Sequence, residues 1–385
     1  AGVTGTNGKT TVTQMLARAL GELGERCGIV GTLGCGFPDA LEEGHNTTPD
    51  ALELQRWFAR FRNQGAVAAA MEVSSIGLDQ GRVNGAQFDV AIFTNLSRDH
   101  LDYHGTMEAY AAAKARLFER PELSACVINI DDPWGLALAR LLVVEGRAVI
   151  ACTLYAANAD AVPGARVLRA DRLQAAPAGL RFTLVWEGRE AEIGVRMVAH
   201  FNVSNLIAVA GALLARGIAF DELPPVLGRL APPQGRMQLV GGVCEPLVVI
   251  DYAHSPDALA KVLEALRGTV HSRRGRLVCV FGCGGDRDPG KRPMMGEIAS
   301  AIADRVVITS DNPRSEDPQR IVEAIAAGAG AAAECVVDRA QAITRAVGEA
   351  RADDVVLIAG KGHEPYQEIL GQRLPFSDLE QAKRA

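Results

Sequence analysis

A chain of 385 residues with 48% apolar content is too long for one hydrophobic core and too apolar to stay unfolded, so it reads as two packed domains. Its formal net charge of −6 and isoelectric point near 5.7 argue against a counterion-release grip on nucleic acid and suit a small anionic ligand. The eight cysteines, at 27, 35, 126, 152, 244, 279, 283 and 335, show neither a CxxC pair nor metal-ligand spacing, as expected of reduced thiols in the cytoplasm; no signal peptide or run of about 18 apolar residues asks for export or a membrane span.

The chain begins AGVTGTNGKTT (Ala1 to Thr11). A strict phosphate loop wants a glycine five residues before Gly8, where Val3 stands, so the pattern is incomplete. Gly5-Thr6-Asn7-Gly8-Lys9-Thr10-Thr11 still offers flexible backbone, one lysine and a hydroxyl in the order that phosphate and magnesium need. Val12, Met15, Leu16, Ala19, Leu20 and Leu23 then recur at helical spacing up to Gly24, so the loop feeds a helix whose first N–H groups and dipole favour an anion. A helix cap with no ligand is the plain alternative.

Apolar strands follow at 65–75 (GAVAAAMEVSS), 88–97 (FDVAIFTNLS) and 125–132 (ACVINIDD), with a helical run at 107–120 (MEAYAAAKARLFER). Continuous apolar strands between helices imply a parallel sheet covered on both faces. Between 165 and 199 the pattern alternates, as in antiparallel strands, and 200–217 returns to helix. LAPPQGRMQLVGG (230–242) concentrates Pro and Gly and marks a seam, giving domains 1–236 and 237–385. Beyond it LVVIDYAH, RLVCVFGCGG, RVVITSDNP and DVVLIAGKGH each run into a polar loop and a helical stretch. That is a second doubly wound unit, with its ligands beyond the carboxyl ends of the strands.

Phosphoryl transfer needs groups that hold a metal, and strand-end acids or imidazoles supply them. Glu72 and His100 are candidates, against a helix cap and a solvated loop histidine respectively. Lys114, among alanines, reads as a snorkelling surface charge. Gly282, Gly284 and Gly285 fail the dinucleotide fingerprint because Arg287 occupies its sixth position. Arg287, Lys291, Arg292 and Arg314 form a cationic group suited to carboxylates or phosphates, or simply to solubility.

TGTNGKTT, NTTP, MEVSS, NLSRDHLDYHG, AAAK, HFNVSN, GRM, DYAHSPDAL, GGDRDPGKRP, SDNPR and GKGHE occur in that order along the chain. Together they resemble the Mur ligase family, and within it the members that add meso-diaminopimelate to UDP-N-acetylmuramoyl-L-alanyl-D-glutamate in peptidoglycan synthesis. The resemblance implies an α/β fold, with a P-loop-type mononucleotide-binding parallel-sheet domain carrying an antiparallel addition, then a Rossmann-like C-terminal domain. It also implies an N-terminal uridine-binding domain outside this chain, of whose connecting strand only Ala1 to Thr4 remain.

By the same resemblance, Gly5, Thr6, Asn7, Gly8, Lys9, Thr10 and Thr11 bind the phosphates of ATP. Asn205, Arg236, Asp251 and Tyr252 close over the nucleotide. Thr10, Glu72, His100 and Lys114 hold Mg²⁺, Lys114 as a carbamate, and Lys9, Lys114 and His100 are catalytic. Asn46, Thr47, Thr48, Ser74, Gln80 and Arg82 contact the muramoyl-dipeptide, with Ile76 where the family often has histidine. Arg287, Asp311, Asn312, Pro313, Arg314, Gly360 and Glu364 form the diaminopimelate site. An arginine fork on the distal carboxylate, worth about 1.5–3 kcal/mol, sets diaminopimelate above lysine by about 10- to 100-fold. The partners implied are small molecules, with no nucleic acid or membrane, and the chain is expected as a monomer. The rival readings are a folylpolyglutamate synthetase-like ligase and a nucleotide-binding chain without turnover.

Overall fold

The computed structural model describes residues 1–44, 46–176 and 179–385. They form two compact units, one of Ala1–Gln174, Arg181–Val195 and Phe201–Ala231, the other of Ala175–Leu180, Arg196–His200 and Pro232–Ala385.

The first unit is built on strands β1 (Gly2–Thr4), β2 (Cys27–Gly31), β3 (Gly34–Phe37), β4 (Ala40–Glu42), β5 (Ala68–Glu72), β6 (Val90–Phe93), β7 (Ala125–Asn129), β8 (Val149–Thr153), β9 (Arg166–Ala176), β10 (Gly179–Trp186) and β11 (Arg189–Val195). They lie in one sheet in the order β11-β10-β9-β8-β7-β6-β1-β5-β2-β3-β4. From β2 to β9 the neighbours run parallel, and β3 and β4 extend the edge antiparallel. β10 and β11 are neighbours joined by two residues, a link that only an antiparallel pair accepts. The antiparallel edge at β2–β4 was not foreseen.

The strands are apolar because both faces are covered. The helix Lys9–Glu22 buries Val12, Met15, Leu16, Ala19 and Leu20 and packs on β1, β2 and β5. Another cluster gathers Leu54, Phe61, Tyr110, Phe118 and Leu142 with Met71, Ala91 and Ile128 from the strands. The helix expected over 107–120 runs only from Met107 to Ala115. Leu117 N and Phe118 N then donate to Lys114 O and Ala115 O, three residues back, and this tighter turn brings two consecutive side chains into the core.

In the second unit β12 (Gln238–Gly241), β13 (Leu247–Asp251), β14 (Leu277–Phe281), β15 (Arg305–Ile308), β16 (Glu334–Cys335) and β17 (Val355–Ala359) lie in the order β12-β13-β17-β14-β15-β16. All run parallel except β12. Alternate residues serve opposite cores: Val249, Cys279 and Leu357 face one, Ile250, Val280 and Ile358 the other. A hairpin of β18 (Tyr366–Ile369) and β19 (Gln372–Pro375) follows.

One buried ion pair ties this unit's loop ends together. Arg339 reaches both carboxylate oxygens of Asp378 at 2.7 Å, and its remaining N–H groups donate to Ser310 O (3.1 Å) and Ala359 O (3.0 Å). Both side chains are fully buried, so removing one partner strands the other's charge. Asp378→Ala should therefore lower stability by about 3–5 kcal/mol, and Arg339→Met/Asp378→Leu by much less; urea unfolding of the two variants checks this.

Candidate active site

β1 ends between β5 and β6, and the loop beyond it is shaped by crowding. Gly5 and Gly8 have φ of 144° and 87°, which side chains avoid. A Cβ would stand 2.0 Å from Thr94 Oγ1 at Gly5 and 2.4 Å from Asn205 Oδ1 at Gly8. Val3 is buried strand, so a glycine there is not needed. The loop is pinned by Thr6 N donating to Asn95 O (2.8 Å), Asn7 N to Asn95 Oδ1 (2.9 Å) and Thr94 Oγ1 to Asn7 O (2.6 Å).

Gly8 caps the helix Lys9–Glu22 without a side chain, and no acidic residue stands in its first turn. Helices capped by Asp50 or Asp132 carry a carboxylate on those leading N–H groups; this one presents them to the loop. Lys9 Nζ folds back to Gly5 O and Thr6 O, 2.9 Å each. Thr10 Oγ1 donates to Glu72 Oε2 at 3.0 Å, and Glu72 also receives Thr32 N at 2.8 Å and Thr32 Oγ1 at 3.1 Å. Glu72 is 2% exposed. The helix-capping alternative for it is taken by Ser74, whose Oγ accepts from Gly77 N.

Lys114 is not the surface charge its sequence suggests. It is 2% exposed, its Nζ donates to Gly5 O at 2.9 Å and stands 4.4 Å from the centre of the Tyr110 ring. Burial, and then the charge of Lys9, hold its pKa well below that of an ordinary lysine. Tyr110 OH lies 3.2 Å from Thr6 Oγ1, and burial pushes the phenol up to about 12. His100 is half-exposed at φ 52°, 3.5 Å from Asp99 Oδ2, its ring 6.1 Å from that of Tyr110.

The candidate metal donors fit a hard cation in part. Thr10 and Glu72 are in contact, but no group of three His, Cys, Asp or Glu side chains is assembled among the described residues. A hydroxyl beside one carboxylate is a donor pair of the kind magnesium binds, its shell completed by phosphate oxygens and water.

Beside Glu72 the expected acceptor residues form one network. Thr48 Oγ1 lies 3.0 Å from Glu72 O and 3.1 Å from Ser74 Oγ, Arg82 donates to Thr48 O at 2.8 Å and to Gln80 Oε1 at 2.9 Å, and Thr47 Oγ1 is 3.0 Å from Thr32 Oγ1. Asn46 is exposed at the margin. Ile76 sits within the short helix Ser75–Asp79, where its carbonyl accepts from Gln80 N. Sequence reasoning missed His104, whose Nε2 is 2.9 Å from Ser75 Oγ and whose ring lies 5.3 Å from that of Tyr110; burial lowers its pKa. It stands in the same NLSRDHLDYHG run that drew attention to His100.

Asn205, 7% exposed, overhangs Gly8 in the first unit. Arg236, Asp251 and Tyr252 lie together in the second. Asp251 accepts from Met237 N and Ala253 N at 2.8 Å each, burial raises its pKa, and the Arg236 guanidinium stands 4.9 Å over the Tyr252 ring.

The loops after β14, β15 and β17 leave adjacent strands and bring Asp311, Asn312 and Glu364 into one polar cluster. Asn312 Nδ2 donates to Glu364 Oε2 at 2.8 Å, and a Cβ on Gly360 would stand 2.5 Å from Asp311 Oδ2. Burial raises the Asp311 pKa. Arg314 Nη1 donates to Gly285 O at 2.7 Å, with Pro313 O close to Gly285. Arg292 pairs with Glu316 at 2.8 Å and Lys291 with His254 O, which leaves exposed Arg287 without a hydrogen bond or ion pair among the described residues. Lys361, within GKGHE, was passed over, although its Nζ donates to both Asn312 Oδ1 and Glu364 Oε2.

The chain thus presents two arrangements, a phosphate-type loop beside the strand-end acid Glu72 and a polar cluster on a second α/β sheet. The Mur ligase middle domain matches residues 3–213, and the Mur ligase, glutamate ligase domain matches residues 235–362. The chain belongs to the Mur ligase family. It is 54% identical over its whole length to the UDP-N-acetylmuramoyl-L-alanyl-D-glutamate–2,6-diaminopimelate ligase of Ectopseudomonas mendocina and 52% identical to that of Pseudomonas aeruginosa, covering 77% of each. A solved structure of a ligase of the same name superposes with a TM-score of 0.75 at 41% identity, over 100% of this chain and 77% of that one. A Mycobacterium tuberculosis folylpolyglutamate synthase shares the fold at a TM-score of 0.68 and 20% identity, over 94% of this chain and 88% of that one.

The crowding at Gly8 gives a direct test. Gly8→Ala must move Asn205 and adopt a strained φ, so ATP affinity should fall by more than about tenfold with the circular dichroism spectrum unchanged; calorimetric titration of nucleotide into the variant reads it.

Proposed function

We propose that this chain joins meso-diaminopimelate to UDP-N-acetylmuramoyl-L-alanyl-D-glutamate with hydrolysis of ATP to ADP and phosphate, in the cytoplasm and as a monomer. The substrates rest on the relatives named for them. The chemistry rests on one observation, the meeting of Lys9, Thr10, Glu72 and buried Lys114 around the loop that begins at Gly5. Residues 1–236 act on the nucleotide and the acceptor, and residues 237–385 on the amino acid. No helix among the described residues is long and apolar enough to cross a membrane.

Lys9 and the first N–H groups of the helix hold the β- and γ-phosphates, and Thr47, Thr48, Ser74, Gln80 and Arg82 hold the acceptor. The acceptor's D-glutamyl side-chain carboxylate takes the γ-phosphoryl group and ADP leaves. The amine of diaminopimelate, held by Arg287, Asn312, Arg314 and Glu364, attacks the acyl carbon; phosphate departs with the bridging oxygen and the nitrogen loses a proton. Thr10, Glu72, His100 and Lys114 are the donors for Mg²⁺, which when bound neutralises charge on the phosphates.

Lys114 serves this site as a carbamate. Its depressed pKa favours the neutral amine, the form that attacks CO₂; one N–C bond forms, one proton leaves, and the amine becomes an anionic oxygen donor. Its burial beside Lys9 supports that assignment.

Two measurements check the reading. Phosphate release should require ATP, acceptor and diaminopimelate together, with lysine slower by about 10- to 100-fold and glutamate inert; release indifferent to the amine contradicts it, and a glutamate product favours the folylpolyglutamate-type alternative. Lys114→Ala should abolish turnover, whereas stripping CO₂ from the wild type should lower activity and bicarbonate restore it. A fully active Lys114→Ala variant removes the carbamate from the account.

A further inference from the structure

Lys361 is fully buried at the carboxyl end of β17. A lysine amine in that position needs charged or polar partners. Its Nζ donates to Asn312 Oδ1 at 2.9 Å and to Glu364 Oε2 at 3.1 Å, and stands 3.9 Å from Asp311 Oδ1. The Tyr366 ring lies 5.5 Å away on another side. Gly360 just before it, at φ 117° and hard against Asp311, fixes where the side chain starts.

The consequence falls on the partners. Asn312 Oδ1 accepts from both Lys361 Nζ and Glu368 N (2.9 Å), which orients the amide and leaves Nδ2 to donate to Glu364 Oε2. Glu364 Oε2 therefore receives two bonds from the protein, and no donor reaches Oε1 among the described residues. A carboxylate held by one oxygen presents the other to an incoming cation.

We propose that Lys361 is a positioning residue of the amino-acid subsite, anchoring Asn312 Oδ1 and Glu364 Oε2 so that Glu364 Oε1 meets an ammonium group of the zwitterionic substrate. This rests on the ligase reading of that cluster. Without the anchor the Asn312 amide is free to flip and the Glu364 carboxylate to rotate.

The test is steady-state kinetics of the full chain with Lys361→Met, Lys361→Gln, Glu364→Gln and the double variant Lys361→Met/Glu364→Gln. Lys361→Met should raise KM for diaminopimelate about 10- to 100-fold while KM for ATP and kcat stay within about twofold. Lys361→Gln, which keeps a donor, should fall between it and the wild type. In the Glu364→Gln background Lys361→Met should add far less than it does alone. An unshifted KM for diaminopimelate, a matching rise in KM for ATP, or additive effects overturns the proposal; should Lys361→Met fail to fold, Lys361→Gln carries the same comparison. A wild type that makes no diaminopimelate product brings down the ligase reading and this inference with it, whereas wild-type turnover with unshifted variants brings down only the inference.

Discussion

Two lysine amines share the carbonyl oxygen of Gly5. Lys9 and Lys114 both donate to it at 2.9 Å, one from the loop's own helix and the other from a helix on a different part of the sheet. Two ammonium ions cannot sit this close in a water-poor site at low energy. Burial and the charge of Lys9 push Lys114 toward its neutral amine. The rest of the first unit's site, with Thr10 on Glu72 and Asn205 against Gly8, is arranged around that loop.

The two units gather their polar groups differently, although both do so beyond the carboxyl ends of parallel strands. In the first unit the backbone dominates: Gly5 and Gly8 stand where a Cβ would clash, and the helix after them begins without a side-chain cap. In the second, side chains dominate: Lys361, Asn312 and Glu364 are linked as donors and acceptors through one Glu364 oxygen, and Arg339, paired with Asp378, donates to Ser310 O and Ala359 O at the ends of β15 and β17.

Much of the fold was legible because it is written in apolar periodicity. The helix over Lys9–Glu22 and strands β5, β6, β7, β13, β14, β15 and β17 fall where the runs predicted them. The β2–β4 edge was not, since Gly34 and Gly36 interrupt any alternation; they are there because a Cβ would stand 2.4 Å from Glu42 O and 2.2 Å from Ala40 O. Lys114 illustrates the limit for sites. Its neighbours are mostly alanines, which say nothing about burial; helical spacing already sets Tyr110 beside it, but only the fold brings Gly5 against it. Lys361 was overlooked for the opposite reason: it lies in a motif where glycine and glutamate drew the attention, and its partners Asn312 and Asp311 are about fifty residues away in sequence.

The central claim is that ATP activates a carboxylate by giving it a phosphoryl group before the amine attacks. The most direct measurement starts from an acceptor whose D-glutamyl side-chain carboxylate carries oxygen-18, and reads the phosphate released as the amide forms by mass spectrometry. Transfer of a single labelled oxygen into each phosphate is the result this account predicts; unlabelled phosphate, with the amide formed all the same, would contradict it.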